Sequence, residues 1–137
     1  MSTHFEALVD SDAFIGLFFE QDVHFARAGA AFRHFAKVGN VLVTTNLVIT
    51  ETAAMLSRRI SYPLACRFIE YIQAGNFPII YVDKQLQDST HTIFLAHQRE
   101  KTSPVDCSNV AVARYYSIPS ILGFDGFYKD YGLSLAG

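Results

Sequence analysis

Short apolar runs alternate with helix-length segments along most of this chain. The runs occupy Phe5–Asp10, Val41–Val43, Phe77–Val82 and Ser120–Phe124. Strands that alternate with helices pair in parallel, and the connecting helices cover both faces of the sheet that they form. The pattern therefore predicts an α/β fold with three α/β/α layers and a central parallel sheet of about four or five strands.

The segments between these runs carry helix signals at their ends. Arg58 and Arg59 close one segment, where cations complement the helix dipole. Gly39-Asn40 and Gly75-Asn76 are typical of turns, and Ser103-Pro104 is typical of a helix start. The predicted helices are Ala13–Phe19, Asp22–Lys37, Asn46–Ile60, Tyr62–Ala74, Leu86–Lys101 and Ser103–Tyr116.

Length and composition favour one well-packed domain spanning residues 1–137. The 137 residues fall within the usual size of a single domain, ~100–150 residues. Half of them are hydrophobic, with 12 Phe and 7 Tyr, which excludes a disordered chain. Charged residues make up 18%, against an ordinary ~25%. This low content suggests that a partner or a second copy covers part of the surface.

The charge, the cysteines and the first residues indicate how phosphates would be bound and which cellular compartment to expect. The net charge is −2, so a general basic coat for nucleic acid is absent, and phosphates would need local cations or metal. Cys66 and Cys107 lack metal-ligand or disulfide-framework spacing and are expected to be free thiols. No apolar run reaches ~18 residues, and the first residues do not resemble a signal peptide. We therefore expect a cytoplasmic protein with no membrane segment.

Four acidic residues stand near the predicted carboxyl ends of strands, where parallel α/β sheets bind ligands. Asp10 follows the first strand, and Asp125 follows the last one. Glu51 and Asp106 lie near the starts of helices. Each of the three aspartates also has a purely local alternative, because Asp10 fits a helix N-cap, Asp106 a capping box with Ser103, and Asp125 an Asp-Gly turn.

Glu51 is the least expected of the four. Its neighbours three and four positions away on the predicted helix are all apolar: Leu47, Val48, Ala54 and Met55. A carboxylate on a core-facing stripe is costly unless it is neutralised or bound to metal. The local alternative is an ion pair with Arg58 or Arg59.

Carboxylates that converge at one sheet edge suit hard cations such as Mg²⁺ or Mn²⁺. The sequence contains no Walker P-loop, GxGxxG or GxSxG motif. The histidines show no metal-ligand spacing, and all are expected to be surface or core residues: His4, His24, His34, His91 and His97.

The order of these segments resembles the VapC-type toxins of the PIN-domain family. Leu8-Val9-Asp10-Ser11, followed by Asp22-Val23-His24, resembles the first motif of that family. The run from Val43 to Thr52, which contains Glu51, looks like the second motif. Ser103-Pro104-Val105-Asp106-Cys107 and Ile121-Leu122-Gly123-Phe124-Asp125 are similar to the third and fourth.

The resemblance implies a PIN-like fold and a metal-dependent endoribonuclease, with Mg²⁺ or Mn²⁺ held by Asp10, Glu51, Asp106 and Asp125. It also implies an RNA substrate such as tRNA or rRNA and a VapB-like antitoxin partner. The low content of charged residues is compatible with that partner and with a homodimer. Two positions depart from the motifs of that family. Asp12 stands where the family usually has a small or polar uncharged residue, and Asn46 stands where an aspartate is common. Candidate substrate contacts are Ser11, Asn46, Arg58 and Arg59, with further phosphate contacts from Arg67, Arg99 and Lys101.

Three alternatives remain open at this point. Asp10-Ser11-Asp12 resembles the nucleophile motif of haloacid-dehalogenase-like phosphatases, although the late paired acids of that family have only Asp125 and Asp130 as candidates. A PIN-like scaffold that binds RNA or protein without cleaving is a second possibility. The third is a PIN-domain RNA-processing nuclease that is not part of a toxin–antitoxin pair.

Overall fold

A computed structural model of the chain describes residues 4–39, 41–75, 77–97 and 100–137. Its five strands form one sheet in the order β3-β2-β1-β4-β5, and every neighbouring pair is parallel. The prediction of a parallel sheet is therefore confirmed. The strands are β1 (Ala7–Val9), β2 (Leu42–Thr45), β3 (Ile79–Ile80), β4 (Ser120–Leu122) and β5 (Ser134–Leu135).

Helices cover both faces of the sheet, which confirms the three-layer architecture. They are α1 (Ser11–Phe18), α2 (Phe25–Val38), α3 (Asn46–Arg59), α4 (Tyr62–Ala74), α5 (Lys84–Ala96), α6 (Pro104–Tyr116) and a 3₁₀ helix (Gly126–Tyr131). Side chains alternate along β1, so that Leu8 packs with α5, α6 and the 3₁₀ helix, whereas Ala7 and Val9 pack with α1, α3 and α4. The sheet therefore separates two hydrophobic cores.

Phe14 anchors the second of these cores. Its side chain is fully buried, and its ring meets those of Phe32, Phe68 and Phe77 at centroid distances of 5.8, 5.1 and 5.7 Å. Such tilted and edge-on contacts stabilise aromatic cores beyond simple area burial. Phe14 thereby fixes α1, whose N-cap and first turn carry two of the acidic residues discussed below, Asp10 and Asp12.

The predicted strand Phe77–Val82 is much shorter in the structure, at Ile79–Ile80. It lies at an edge of the sheet, and Pro78 at its start has no N–H to donate. The backbone N–H of Val82 donates to the side-chain oxygen of Asn46 (2.8 Å) and therefore takes no part in a ladder. The prediction of a strand in this apolar run is confirmed, but the predicted length was wrong.

Helix boundaries match the prediction in some places and differ in others. The α4 bounds agree with those predicted, and α3 ends one residue early, at Arg59. The predicted helix Leu86–Lys101 instead spans Lys84–Ala96, because Asp83 caps its first turn and the chain leaves the helix at His97. Asn40, Asn76 and Arg99, which carried turn and phosphate-contact predictions, lie outside the described residues.

The segment after Asp125 contains two elements that the sequence pattern did not predict. It forms the 3₁₀ helix and then β5, which pairs with β4. These elements are too short to leave a periodic apolar pattern in the sequence. Elsewhere, none of the helices in the described ranges has both the length and the apolar character that crossing a bilayer requires.

Candidate active site

Asp10 lies at the carboxyl end of β1, in the middle of the sheet, and its side chain is only 5% exposed. Its Oδ1 accepts hydrogen bonds from the backbone N–H of Ser11 (2.7 Å) and from Asn109 Nδ2 (3.1 Å). Its Oδ2 accepts a bond from the hydroxyl of Tyr128 (2.6 Å). Asp10 therefore caps α1, as its local alternative suggested, and also contacts two other elements.

Asp106 combines a local and a distant role in the same way. Its Oδ2 accepts from the backbone N–H of Ser103, and its own N–H donates to Ser103 Oγ, which together form the predicted capping box. Its Oδ1 lies 3.4 Å from the Tyr128 hydroxyl. A single tyrosine hydroxyl therefore stands between the carboxylates of Asp10 and Asp106.

Glu51 turns toward the same place. Ser11 Oγ donates a hydrogen bond to its Oε1 (2.7 Å). The alternative of an ion pair with Arg58 or Arg59 is not observed among the described residues. The pKa of Glu51 is raised, first by burial and then by the charges of Asp106 and Asp12, whereas the Ser11 bond and Arg59 lower it. The side chain is thus grouped with the other acids.

Asp125 is exposed and lies at the edge of this group. Its Oδ1 accepts from the backbone N–H of Phe127 (3.0 Å) and so caps the 3₁₀ helix. Its charge contributes to raising the pKa values of both Asp12 and Asp106. Asp125 is therefore close enough to these acids to influence them electrostatically.

Asp12 joins the group as a fifth acid. Its Oδ2 accepts from the backbone N–H of Phe124 (2.8 Å), which ties α1 to the end of β4. Its Oδ1 is buried and has no hydrogen-bond partner among the described residues. A Cβ atom at Gly123 would lie 2.9 Å from this Oδ1 and 3.2 Å from Asp10 Cβ. Glycine is therefore required for this close approach.

We call Asp10, Asp12, Glu51, Asp106 and Asp125 the acidic cluster. Burial raises the pKa of Asp10 from 3.8 to about 8, and the charges of Asp12 and Asp106 add to that rise. Burial is also the largest cause of the raised pKa values of Asp12 and Asp106. Like charges held together in a poorly solvated site are unfavourable until a cation or protons compensate them.

The donor chemistry of the cluster fits a hard divalent cation. All its side-chain donors are carboxylate oxygens, and one of them, Asp12 Oδ1, is buried with no hydrogen-bond partner in the ranges that the structure describes. In the described parts of the chain, however, no three acidic or imidazole side chains already stand as ligands around one point. Tyr128, Ser11 and Asn109 hydrogen-bond to the oxygens of Asp10 and Glu51. Chelation would therefore require these carboxylates to turn away from some of these partners.

These pKa shifts predict how stability depends on pH when divalent cations are removed. Folded Asp10 keeps a proton up to about pH 8, whereas the unfolded chain releases it near 3.8. The free energy of unfolding should therefore fall as pH rises between these values, by up to ~1.4 kcal/mol per pH unit. Asp12, Glu51 and Asp106 shift in the same direction.

Urea unfolding in EDTA at several values between about pH 5 and 8 measures this slope. Asp10→Asn should make it clearly shallower, because the variant removes the most strongly shifted group. Stability that is constant or increases over this range would contradict the assignment.

The structure separates the predicted substrate contacts from one another. Ser11 belongs to the cluster through Glu51, and Asn46 instead holds the chain after β3 through Val82. Arg58 and Arg59 are both exposed at the end of α3, and the charge of Arg59 lowers the pKa of Glu51. Arg67 and Lys101 are exposed at other positions.

Two residues of the site, Asn109 and Tyr128, were missed from sequence. Both are fully buried, and Asn109 Nδ2 bonds Asp10 and the Tyr128 hydroxyl (3.0 Å). Asn109 stands three positions after Asp106 and directly before an apolar run of α6, so the helical spacing rule was a usable signal. Tyr128 had no such signal, because the 3₁₀ helix was not predicted.

The sequence matches one protein family and is similar to a characterised relative. A sequence model of the PIN domain matches residues 7–132, a range that contains the whole acidic cluster. The 23S rRNA-specific endonuclease VapC20 of Mycobacterium tuberculosis, from strains CDC 1551 and H37Rv, is 28% identical over 107 residues. This similarity covers 78% of the present chain and 82% of the relative.

A solved structure agrees with the fold. The crystal structure of Mycobacterium tuberculosis VapC20, described as a toxin that cleaves the sarcin–ricin loop, superposes with a TM-score of 0.82. The match covers 93% of the present chain and 95% of the other, at 24% sequence identity. At this identity the superposition supports the fold alone.

Proposed function

This chain belongs to the PIN-domain family, and from that premise we propose that it is a metal-dependent endoribonuclease, the VapC-type toxin of a type II toxin–antitoxin pair. The observation that carries the proposal is the grouping of Asp10, Glu51 and Asp106 around Ser11 and Tyr128 at the carboxyl edge of the sheet. Residues far apart in sequence supply these acids, as a built active site requires. We further propose that residues 1–137 act as one PIN domain.

Asp10 and Asp106 are our choice for the direct ligands of Mg²⁺ or Mn²⁺, with Asp125 completing a second site or acting through water. When bound, such an ion supplies Lewis-acid polarisation and a lowered pKa for water. Glu51, oriented by Ser11 Oγ, would position the attacking water or accept its proton, while the water oxygen bonds to phosphorus and the P–O bond to the leaving strand breaks. Asp12 holds the end of β4 against α1 and adds negative charge that favours cation binding.

The name of the relative VapC20 describes it as a 23S rRNA-specific endonuclease. This supports structured RNA, either rRNA or tRNA, as the substrate class of the present chain. We also propose a cytoplasmic location, a VapB-like antitoxin as partner and a homodimer. The phosphatase alternative is set aside, because the family model that matches the chain is that of the PIN domain.

The test is cleavage of total bacterial RNA by the purified protein with Mg²⁺ or Mn²⁺, followed by sequencing of the new 5′ ends. We expect a few discrete cut sites, lost in EDTA. Equal cutting with and without EDTA, or no cutting with either ion, would refute the proposal. A neighbouring reading frame whose product blocks the cleavage would establish the antitoxin pair, and its absence would favour an RNA-processing nuclease.

A further inference from the structure

A pocket opens beside the acidic cluster and shares Asp12 with it. We call it the side pocket; its volume is about 550 Å³, within the range of pockets that enclose small ligands. Its apolar wall is formed by Ile15, Phe19, Met55 and Ile60. This wall comes from α1, the segment that follows it, and the end of α3. A flat apolar group could therefore bind next to the site of chemistry.

The polar residues of the side pocket carry both signs of charge. Arg59 brings a guanidinium that acts on Glu51 of the acidic cluster. Asp22 accepts the backbone N–H of His24 through its Oδ2 (2.9 Å), and the His24 ring stacks on Phe124 at a centroid distance of 4.0 Å. Asp22 and His24 are thus held in place by contacts within the protein.

This combination favours a nucleobase over a phosphate inside the pocket. Asp12 and Asp22 would repel a phosphate, whereas an apolar wall with an aromatic ring suits the face of a base. The exocyclic amino group of adenine, cytosine or guanine can donate to a carboxylate such as Asp22, and uracil has no amino group. A guanidinium beside the pocket suits the phosphate of the same nucleotide.

The side pocket lies next to the acidic cluster, which supports a nucleotide as its occupant. If the proposed function holds, the bond that is cut lies at the acidic cluster, so a neighbouring nucleotide lies within one nucleotide length of it. A base can enter a pocket only when it is unpaired and unstacked, as in RNA loops. We propose that the side pocket receives the unpaired, amino-bearing base next to the cut phosphodiester, and that Arg59 contacts the phosphate of the same nucleotide. This inference rests on the proposed function.

Two pairs of variants test this on a short RNA that spans the mapped cut site. Met55→Trp fills the side pocket, and Ser57→Trp places the same bulk on α3 toward the groove between α3 and α4. Arg59→Ala removes the guanidinium, and Arg33→Ala removes an exposed guanidinium on α2 as its control. Met55→Trp and Arg59→Ala should each raise KM by about tenfold or more, with a smaller change in kcat. Both controls should stay within about twofold of wild type.

Changes in the RNA provide an independent test in the wild-type protein. Uridine in place of the amino-bearing nucleotide should raise KM by about tenfold, and Met55→Trp should lose this discrimination. An 8-azidoadenosine at that nucleotide should crosslink to a peptide containing residues 12–24 or 55–60. The crosslink keeps the test valid even if Met55→Trp does not fold.

The outcomes separate the two proposals. Wild-type protein that cuts no RNA would refute the proposed function. Wild-type protein that cuts RNA, with Met55→Trp behaving like Ser57→Trp or with crosslinks elsewhere, would overturn the side-pocket inference alone. If filling the pocket weakened only the binding of an antitoxin peptide and left the KM for RNA unchanged, the occupant would be a protein, and the inference would again be wrong.

Discussion

Replacing Asp10 by asparagine should lower the rate of metal-dependent RNA cleavage by roughly 10³-fold or more. Asparagine keeps the size of the side chain and one oxygen that can cap α1. It cannot supply the negative charge that a divalent cation requires at the centre of the acidic cluster. Because Asp10 contacts α6 and the 3₁₀ helix through Asn109 and Tyr128, no other acid of the cluster occupies an equivalent position.

The same substitution should not unfold the protein. At neutral pH without divalent cations, burial disfavours the ionised form of Asp10, so a neutral amide should leave stability equal or higher. Asp88→Asn is the matched control, because Asp88 forms an exposed ion pair with Lys84 on α5, away from the acidic cluster. Cleavage kinetics and urea unfolding on the three proteins check both parts. An Asp10→Asn variant that cuts within about threefold of wild type would refute the role of Asp10.

Replacing Tyr128 by phenylalanine should have the next largest effect. The hydroxyl donates to Asp10, accepts from Asn109 and lies near Asp106, so its loss removes the group that fixes both carboxylates. Partners that orient metal-binding side chains typically contribute about 10- to 100-fold to metal affinity or activity. We therefore expect cleavage to fall by about that factor at limiting Mg²⁺, and to recover in part at high Mg²⁺.

Thermal unfolding across a Mg²⁺ series gives a readout that does not depend on cleavage. Mg²⁺ should stabilise wild type at lower concentrations than it stabilises Tyr128→Phe. Tyr131→Phe is the control on the same 3₁₀ helix, because in the described part of the chain the Tyr131 hydroxyl bonds His97 (2.9 Å) and not a member of the acidic cluster. Identical Mg²⁺ dependence in Tyr128→Phe and wild type would show that Tyr128 has only a structural role.

The sheet and four of the acids were predictable because their signals are local. An apolar run followed by an acid, as at Leu8-Val9-Asp10, encodes both a strand and what stands at its carboxyl end. Glu51 stood out because a carboxylate interrupts an apolar stripe. In each case residues within one or two helical turns carried the information.

The remaining features depend on contacts between distant residues. Tyr128 reaches Asp10 across 118 positions, and Asp12 reaches the backbone of Phe124 across 112. The residues near Asp12 in the sequence do not show whether its carboxylate caps a helix or accepts a hydrogen bond from the backbone that follows β4. The length of β3 was likewise decided by Asn46, which takes the N–H that would have extended the ladder.

The late position of the 3₁₀ helix has a consequence for synthesis. Asp125, Tyr128 and the strand that Asp12 fastens all come from residues after 119, whereas Asp10 and Asp12 leave the ribosome early. A growing chain can therefore bury its first aromatic core long before the carboxylates have their final neighbours. Until the residues after 119 have emerged from the ribosome, the growing polypeptide carries an unassembled centre.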